Sequence, residues 1–163
     1  MDRATPHGAL CRGLLAGAVG TAAMTAAQRI GSRLQSSGGG DEGPSWENAP
    51  APAKVAKRIL EGVFDRTVPA ARIDVLTHVT HWLYGVAWGG VYGLVQETTL
   101  GRPTRTGLLF GAGVWGASYI ALVPMGIYEP PWRYPAATVA FDATYHLVYG
   151  EAVAAAYAVF DPR

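Results

Sequence analysis

The chain has 163 residues, a formal net charge of +1 and a single cysteine, Cys11. This length suits one domain, which we take to comprise residues 1–163, and the balanced charge gives no reason to expect a nucleic-acid partner. A lone cysteine excludes an internal disulfide and a metal site built from cysteines.

Charge is segregated along the chain. The apolar stretches 13–28, 75–95, 107–128 and 136–160 contain only two charged residues, Asp142 and Glu151, whereas a soluble helical bundle distributes charge over its exposed helix faces. The pattern predicts an all-α fold, a four-helix transmembrane bundle whose partner is the lipid bilayer. The predicted spans are about 13–29, 74–96, 106–128 and 136–160.

The first apolar stretch is short for a membrane span. Residues 13–28 are fewer than the roughly 20 that a helix needs to cross the hydrocarbon core. Arg12 and Arg29 can snorkel toward the membrane surface and extend the span. The alternative is a cleavable signal peptide with its cleavage site at Thr25-Ala26-Ala27, and the sequence leaves both interpretations open.

A linker at about 31–73 separates the first two spans, and its start is rich in glycine, serine and proline. Within 53–66, the apolar residues Val55, Ile59 and Val63 share one helix face, with charged residues over much of the rest. We expect an amphipathic helix that lies on the membrane or packs against the bundle. Eight basic residues on this side against five on the other favour a cytoplasmic linker.

Two sequence patterns occur twice. A His-x-x-Tyr-Gly pattern begins at His81 and again 65 residues later at His146. A Gly-Leu-Leu-x-Gly-Ala pattern begins at Gly13 and again at Gly107. Because two spans restore the direction of the chain, we expect two parallel helical-hairpin repeats related by an axis along the membrane normal.

A glycine ladder lies in the second predicted span. Gly85, Gly89 and Gly93 are four residues apart, so on a helix they form a stripe of almost bare backbone. In a membrane, such a stripe lets another helix approach closely. A helix-mediated oligomer through these three glycines is one expectation.

Ionisable side chains inside a span are costly unless they are paired, so each one marks a candidate site. Asp142 and His146 are four residues apart, which places a carboxylate beside an imidazole on one helix face. The candidate cluster consists of His78, His81, Asp142 and His146. Residues expected to support it are Asp74, Tyr84, Tyr149 and Glu151.

Several interpretations of this cluster stay open. It responds to or conducts protons, in a role linked to transport or stress, because histidine titrates near neutral pH and Asp–His chains relay protons through membranes. Alternatively the cluster binds a metal such as zinc, or His81 and His146 ligate a haem, in a redox-active membrane protein. In a purely structural interpretation, the histidines and tyrosines form hydrogen bonds across helices. The cofactor, if any, is unknown.

Enzymatic motifs are missing from the sequence. It contains no nucleophile paired with a base, no phosphate-binding loop and no dinucleotide fingerprint. The sequence therefore favours a non-enzymatic protein and assigns no catalytic residues.

Three segments carry a resemblance to a family. Trp46–Pro52, Thr80–Gly85 and His146–Gly150 together resemble uncharacterised small bacterial membrane proteins related to the YagU-like inner-membrane proteins. The resemblance implies four spans and a multi-pass location in the bacterial cytoplasmic membrane. It implies no catalytic residues.

Overall fold

The fold is built from α-helices. The computed structural model describes residues 5–35, 45–97 and 103–161, and over these residues it contains helices and turns but no strand. The helices are α1 Pro6–Gln35, α2 Ala51–Phe64, α3 Ile73–Gln96, α4 Pro103–Leu122 and α5 Ala136–Phe160. The predicted all-α class is confirmed for the described part of the chain.

One helix end differs clearly from the prediction. The third apolar stretch was expected to stay helical to about residue 128, but α4 ends at Leu122. Pro124 lacks a backbone N–H, and its ring opposes continuation of the helix. Gly126 then adopts a φ of 65°, a left-handed conformation that glycine reaches without steric cost. The chain therefore turns away from the helix axis here.

Helix α1 lies at the centre of the packing. It contacts both α3 and α5, while α4 packs mainly against α5. Gly13 of α1 faces Gly89 and Gly17 faces Gly85, so α1 and α3 are antiparallel. On α4, Gly107 faces the carbonyl of Gly150 and the later Gly111 faces that of His146, so α4 and α5 are also antiparallel.

Helices α3 and α5 run in the same direction. Tyr149 bonds to the carbonyl of Gly85, and Tyr157, eight residues on, bonds to that of Gly93. The two hairpins, α1 with α3 and α4 with α5, are therefore oriented alike. An aromatic group joins them, because the Phe110 ring of α4 lies 4.9 Å from the Tyr92 ring and 6.0 Å from the Tyr149 ring.

The glycine ladder of α3 is covered by α1. A Cβ atom added at Gly89 would lie 2.3 Å from the Cα of Gly17, and one at Gly93 would lie 2.3 Å from the Ala9 carbonyl oxygen. The two backbones are thus in direct contact. An oligomer through Gly85, Gly89 and Gly93 stays a prediction, and it would require a second copy to displace α1.

The two hairpins use their matched glycines in different registers. Gly17 and Gly111 occupy equivalent positions in the repeated Gly-Leu-Leu-x-Gly-Ala pattern. Gly17 faces the carbonyl of Gly85, whereas Gly111 faces that of His146 rather than that of Gly150. The contacts differ by one helical turn, so the two hairpins pack in different registers. The relation of the hairpins as two repeats stays a prediction.

Helix α2 packs against the start of α3 through small residues. Ala53, together with Ala49 and Ile73, forms a small separate core. The larger apolar residues toward the end of α2 remain outside this contact, with Val63 73% and Phe64 61% exposed. The amphipathic helix predicted at 53–66 is therefore present at 51–64, and only part of its apolar face is used within the chain.

Within the described residues, one segment has the length and composition required to cross a membrane, Pro6–Arg33 in α1. Thr106–Leu122 is a shorter apolar helix. The core helix of a soluble protein or a signal sequence has the same properties as the α1 segment. Four membrane spans therefore stay a prediction.

We predict that Gly89→Ala destabilises the protein by about 1–3 kcal/mol, because the new methyl group collides with the backbone of α1 rather than with a movable side chain. The measurement is denaturant unfolding of the purified protein in mild detergent.

The matched control is Gly113→Ala. A Cβ atom at Gly113, also within a helix, meets nothing within 4 Å. We expect this change to stabilise the protein by about 0.5–1 kcal/mol, through reduced freedom of the unfolded chain. Equal effects at Gly89 and Gly113 would contradict the backbone contact.

Candidate functional site

His81 of α3 and His146 of α5 lie at the same level of the bundle. The Tyr149 hydroxyl donates a 2.6 Å hydrogen bond to the Gly85 carbonyl, which aligns the two parallel helices at that point. His81 precedes Gly85 by four residues, and His146 precedes Tyr149 by three. Both histidines therefore lie about one helical turn before this hydrogen bond, each on its own helix.

The ring nitrogen of His81 that carries a proton can be assigned from its partner on α1. His81 Nε2 lies 3.4 Å from Thr25 Oγ1. The Thr25 hydroxyl donates its own proton to the carbonyl of Thr21, at 2.7 Å. Because that proton is already used, Thr25 acts as the acceptor toward His81. Nε2 of His81 is therefore the protonated nitrogen, and Nδ1 is the basic one.

His146 has the opposite arrangement. Its Nδ1 lies 2.8 Å from the backbone carbonyl of Asp142. A carbonyl oxygen only accepts hydrogen bonds, so Nδ1 of His146 is the donor and Nε2 is the nitrogen that can accept a proton. The two histidines are thus fixed in different tautomers, one by α1 and one by its own helix.

The carboxylate of Asp142 is held by α4. Its Oδ2 accepts a hydrogen bond from Trp115 Nε1 at 3.0 Å and one from the Tyr119 hydroxyl at 3.4 Å. Its Oδ1 lies 3.6 Å from His146 Nδ1. The carboxylate therefore stands within ion-pairing distance of His146 and offsets part of the charge that this imidazole gains when protonated.

His78 forms its hydrogen bond within its own helix. It is exposed, and its Nδ1 bonds to the carbonyl of Asp74, itself exposed, at 2.8 Å. The physical reason lies in the helix face that α1 covers. That face follows steps of four back from Gly89 through Gly85 to His81, and the next position is 77 rather than 78. His78 still acts electrostatically on His81, and membership of Asp74 and His78 in the cluster stays a prediction.

The two tyrosines of the repeated pattern have different surroundings. Tyr149 is buried and bonded across the interface to α3. Tyr84 is 43% exposed, with its ring edge-on to Trp88 at 6.0 Å. Tyr149 therefore fixes α5 against α3, and a supporting role of Tyr84 stays a prediction.

Glu151 lies at the contact between α5 and α4. Its Oε1 atom is buried and has no hydrogen-bond partner among the described residues, and it sits where a Cβ of Gly107 would be 2.7 Å away. A buried ionised oxygen without a partner is costly. Glu151 is thus a second ionisable group in the helix interior, separate from the histidines.

A polar network at the opposite end of the bundle was not predicted. Arg12 of α1 bonds to Glu97 after α3 at 3.4 Å and to Asp161 after α5 at 3.2 Å, and its guanidinium lies over the Tyr157 ring. The Tyr157 hydroxyl also donates to Glu97 at 2.7 Å. These residues are far apart in sequence, and only the meeting of three helix ends brings them together.

The predicted metal site is not assembled in the described residues. No group of three or more histidine, cysteine, aspartate or glutamate side chains there is arranged to hold a metal ion. The exposed position of His78 removes one of the ligands considered. A haem needs only two axial ligands, so ligation by His81 and His146 stays a prediction.

Comparison of the chain with known protein families, with curated proteins and with solved structures finds no match. The resemblance to YagU-like proteins therefore stays a prediction. The site must be interpreted from its own geometry.

We predict that Tyr149→Phe destabilises the protein by about 1 kcal/mol, because it removes a buried hydrogen bond between α5 and α3. Unfolding in mild detergent measures the effect. Tyr84→Phe, at the equivalent position of the other pattern, should change the free energy of unfolding by less than about 0.5 kcal/mol. A larger loss for Tyr84→Phe would reverse the assigned roles.

Proposed function

We propose that this chain is a non-enzymatic membrane protein with four spans, α1, α3, α4 and α5, and that His81, His146 and Asp142 make it responsive to protons. The observation that carries the membrane placement is the outward-facing apolar surface of all four helices. Exposed examples, one from each helix, are Leu15, Leu83, Leu109 and Val159. Large patches of this kind are rare on soluble monomers and are usual where lipid covers the surface.

Helix length supports the same placement. The shortest of the four, α4, has 20 residues and is therefore about 30 Å long, the thickness of the hydrocarbon core. The polar Arg12 network marks one end of the bundle. The other end holds α2 and the connection between α4 and α5. The apolar middle of the bundle lies between these two ends.

Retention of α1 is part of the proposal. Its two faces contact α3 and α5, and removal of α1 by signal cleavage would uncover the glycine ladder of α3. The multi-pass bacterial cytoplasmic membrane location rests on the resemblance of the three segments described above. An excess of basic residues near α2 favours placing that end in the cytoplasm.

The proton response follows from the charges around His81. Its polar neighbours are the Thr25 hydroxyl and the imidazoles of His146 and His78, which act on it electrostatically. When His146 is also protonated, two like charges stand within electrostatic reach of each other, one on α3 and one on α5. Their repulsion favours separation of α3 from α5. A fall in pH is thereby converted into looser helix packing.

The topology predicts where reporter fusions will be found. Fusions after Pro69 and after Arg133 should lie on one side of the membrane, and a fusion at the C-terminus should lie on the other. Cysteine accessibility or enzymatic reporters measure this, and alkaline carbonate should leave the protein in the membrane fraction. All three fusions on one side, or release by carbonate, would contradict four spans.

We predict that the protein loses stability as pH falls from about 8 to 5, and that the double variant His81→Gln/His146→Gln does not. Glutamine retains an amide donor but no titratable nitrogen, so the repulsion between protonated imidazoles is lost. The measurement is the midpoint of thermal unfolding in detergent across this pH range.

His78→Gln is the matched control, since His78 is exposed on the same helix as His81. Because His78 acts on His81 only electrostatically, this change should alter the pH dependence less than the double variant does. If His78→Gln abolishes the dependence, or if the double variant retains it, the two paired histidines are not the responsive groups.

A further inference from the structure

An open groove of about 590 Å³ separates α2 from the connection that follows α4. One wall is the polar face of α2, with Lys54, Lys57, Arg58 and Glu61. Lys57 and Arg58 are each three or four residues from both Lys54 and Glu61, so all four lie on one side of the helix. Trp46 and the backbone around Gly126 complete the groove.

The three cationic side chains of this groove are held in place by hydrogen bonds that use only some of their N–H groups. Lys54 Nζ donates to the carbonyl of Glu47 at 2.9 Å, and Arg58 donates to the carbonyl of Met125. Lys57 pairs with Glu61 at 2.5 Å. An ammonium has three N–H donors and a guanidinium has five, so each positioned cation keeps further donors for a ligand.

The groove carries a positive charge at neutral pH. The hydrogen bond from Lys57 holds the pKa of Glu61 below its ordinary value, against the small opposing effect of burial, and the backbone N–H of Val68 adds to the lowering. Glu61 is therefore ionised. Three cations then face one carboxylate, an excess that favours an anion.

Apolar side chains flank the polar face of α2, since Ile59 lies one helical turn before Gly62 of the groove and Phe64 one turn after Glu61. Ile59 and Phe64 are exposed and lie outside the small core that joins α2 to α3. Phosphate needs only the cations, whereas a phospholipid needs both a cationic site and an adjacent apolar surface. The combination is the pattern of an interfacial helix that binds anionic lipid.

We propose that the groove between α2 and the α4–α5 connection binds the phosphate of an anionic phospholipid, with the acyl chains against Ile59 and Phe64. This inference rests on the proposed membrane location. Free phosphate shares the headgroup chemistry, and the apolar surface distinguishes the lipid from it.

The test measures binding of short-chain phosphatidylglycerol to the purified full chain in micelles of neutral detergent, by calorimetry. Short-chain phosphatidylcholine and inorganic phosphate are titrated in the same way. We expect saturable binding of phosphatidylglycerol and at least tenfold weaker binding of the other two. Equal affinity for inorganic phosphate would overturn the lipid assignment, and equal affinity for phosphatidylcholine would overturn an anion site.

Variants locate the site. Lys57→Gln with Arg58→Gln should weaken phosphatidylglycerol binding about 25-fold, at about fivefold for each charge. Arg29→Gln with Arg133→Gln removes two exposed charges outside the groove and should change the affinity less than twofold. If both pairs have the same effect, binding is a general property of surface charge and the groove proposal fails.

Glu61→Gln should change the affinity for phosphatidylglycerol in the opposite direction. It removes the single carboxylate of the groove and should tighten phosphatidylglycerol binding about fivefold, a gain that loss of folding cannot produce. Unchanged or weaker binding by a folded Glu61→Gln variant would overturn the proposal. Since binding is measured in micelles, failure here is distinct from failure of the fusion and carbonate tests of four spans.

Discussion

At the α1–α3 and α4–α5 interfaces, glycine occupies positions where a Cβ atom would enter the backbone of the partner helix. Helices that approach this closely gain dispersion contacts along their whole length, which is the main attraction available between helices in lipid. The contact also fixes the register of each helix pair, because the side chains of one helix pack around the glycine stripe of the other. The levels of His81 and His146 depend on that register.

The same glycines leave backbone oxygens accessible. Glycine adds no side chain of its own beside its carbonyl, so Tyr149 reaches across from α5 and donates to Gly85, and the Tyr157 hydroxyl lies 3.4 Å from the Gly93 carbonyl oxygen. Glycine therefore serves two purposes on α3: it admits α1 on one side and offers acceptors to α5 on another. The histidines lie where these two contacts meet, which explains why they are positioned by backbone geometry and by only a few side chains.

Much of the helical framework could be predicted from spacing alone. The steps of four among Gly85, Gly89 and Gly93 indicated a close contact, and the chemistry of Asp142 beside His146 followed from their separation on one helix. The partner of each face could not be predicted, since periodicity contains no information on which helix covers it. The exposed position of His78 could not be predicted for that reason. The meeting of Arg12 with Asp161 depends on the same long-range arrangement and leaves no local signal.

The central place of α1 has a consequence for biosynthesis. α1 emerges from the ribosome before α3 and α5, and the face that contains Gly20 contacts Tyr149 and Val153 of α5. The α1–α3 hairpin can form early, but this second face stays uncovered until α5 has been made. In the proposed membrane topology, lipid or the insertion machinery shields α1 during that interval, so a translational pause before α5 would leave the hairpin open to pairing with the wrong partner.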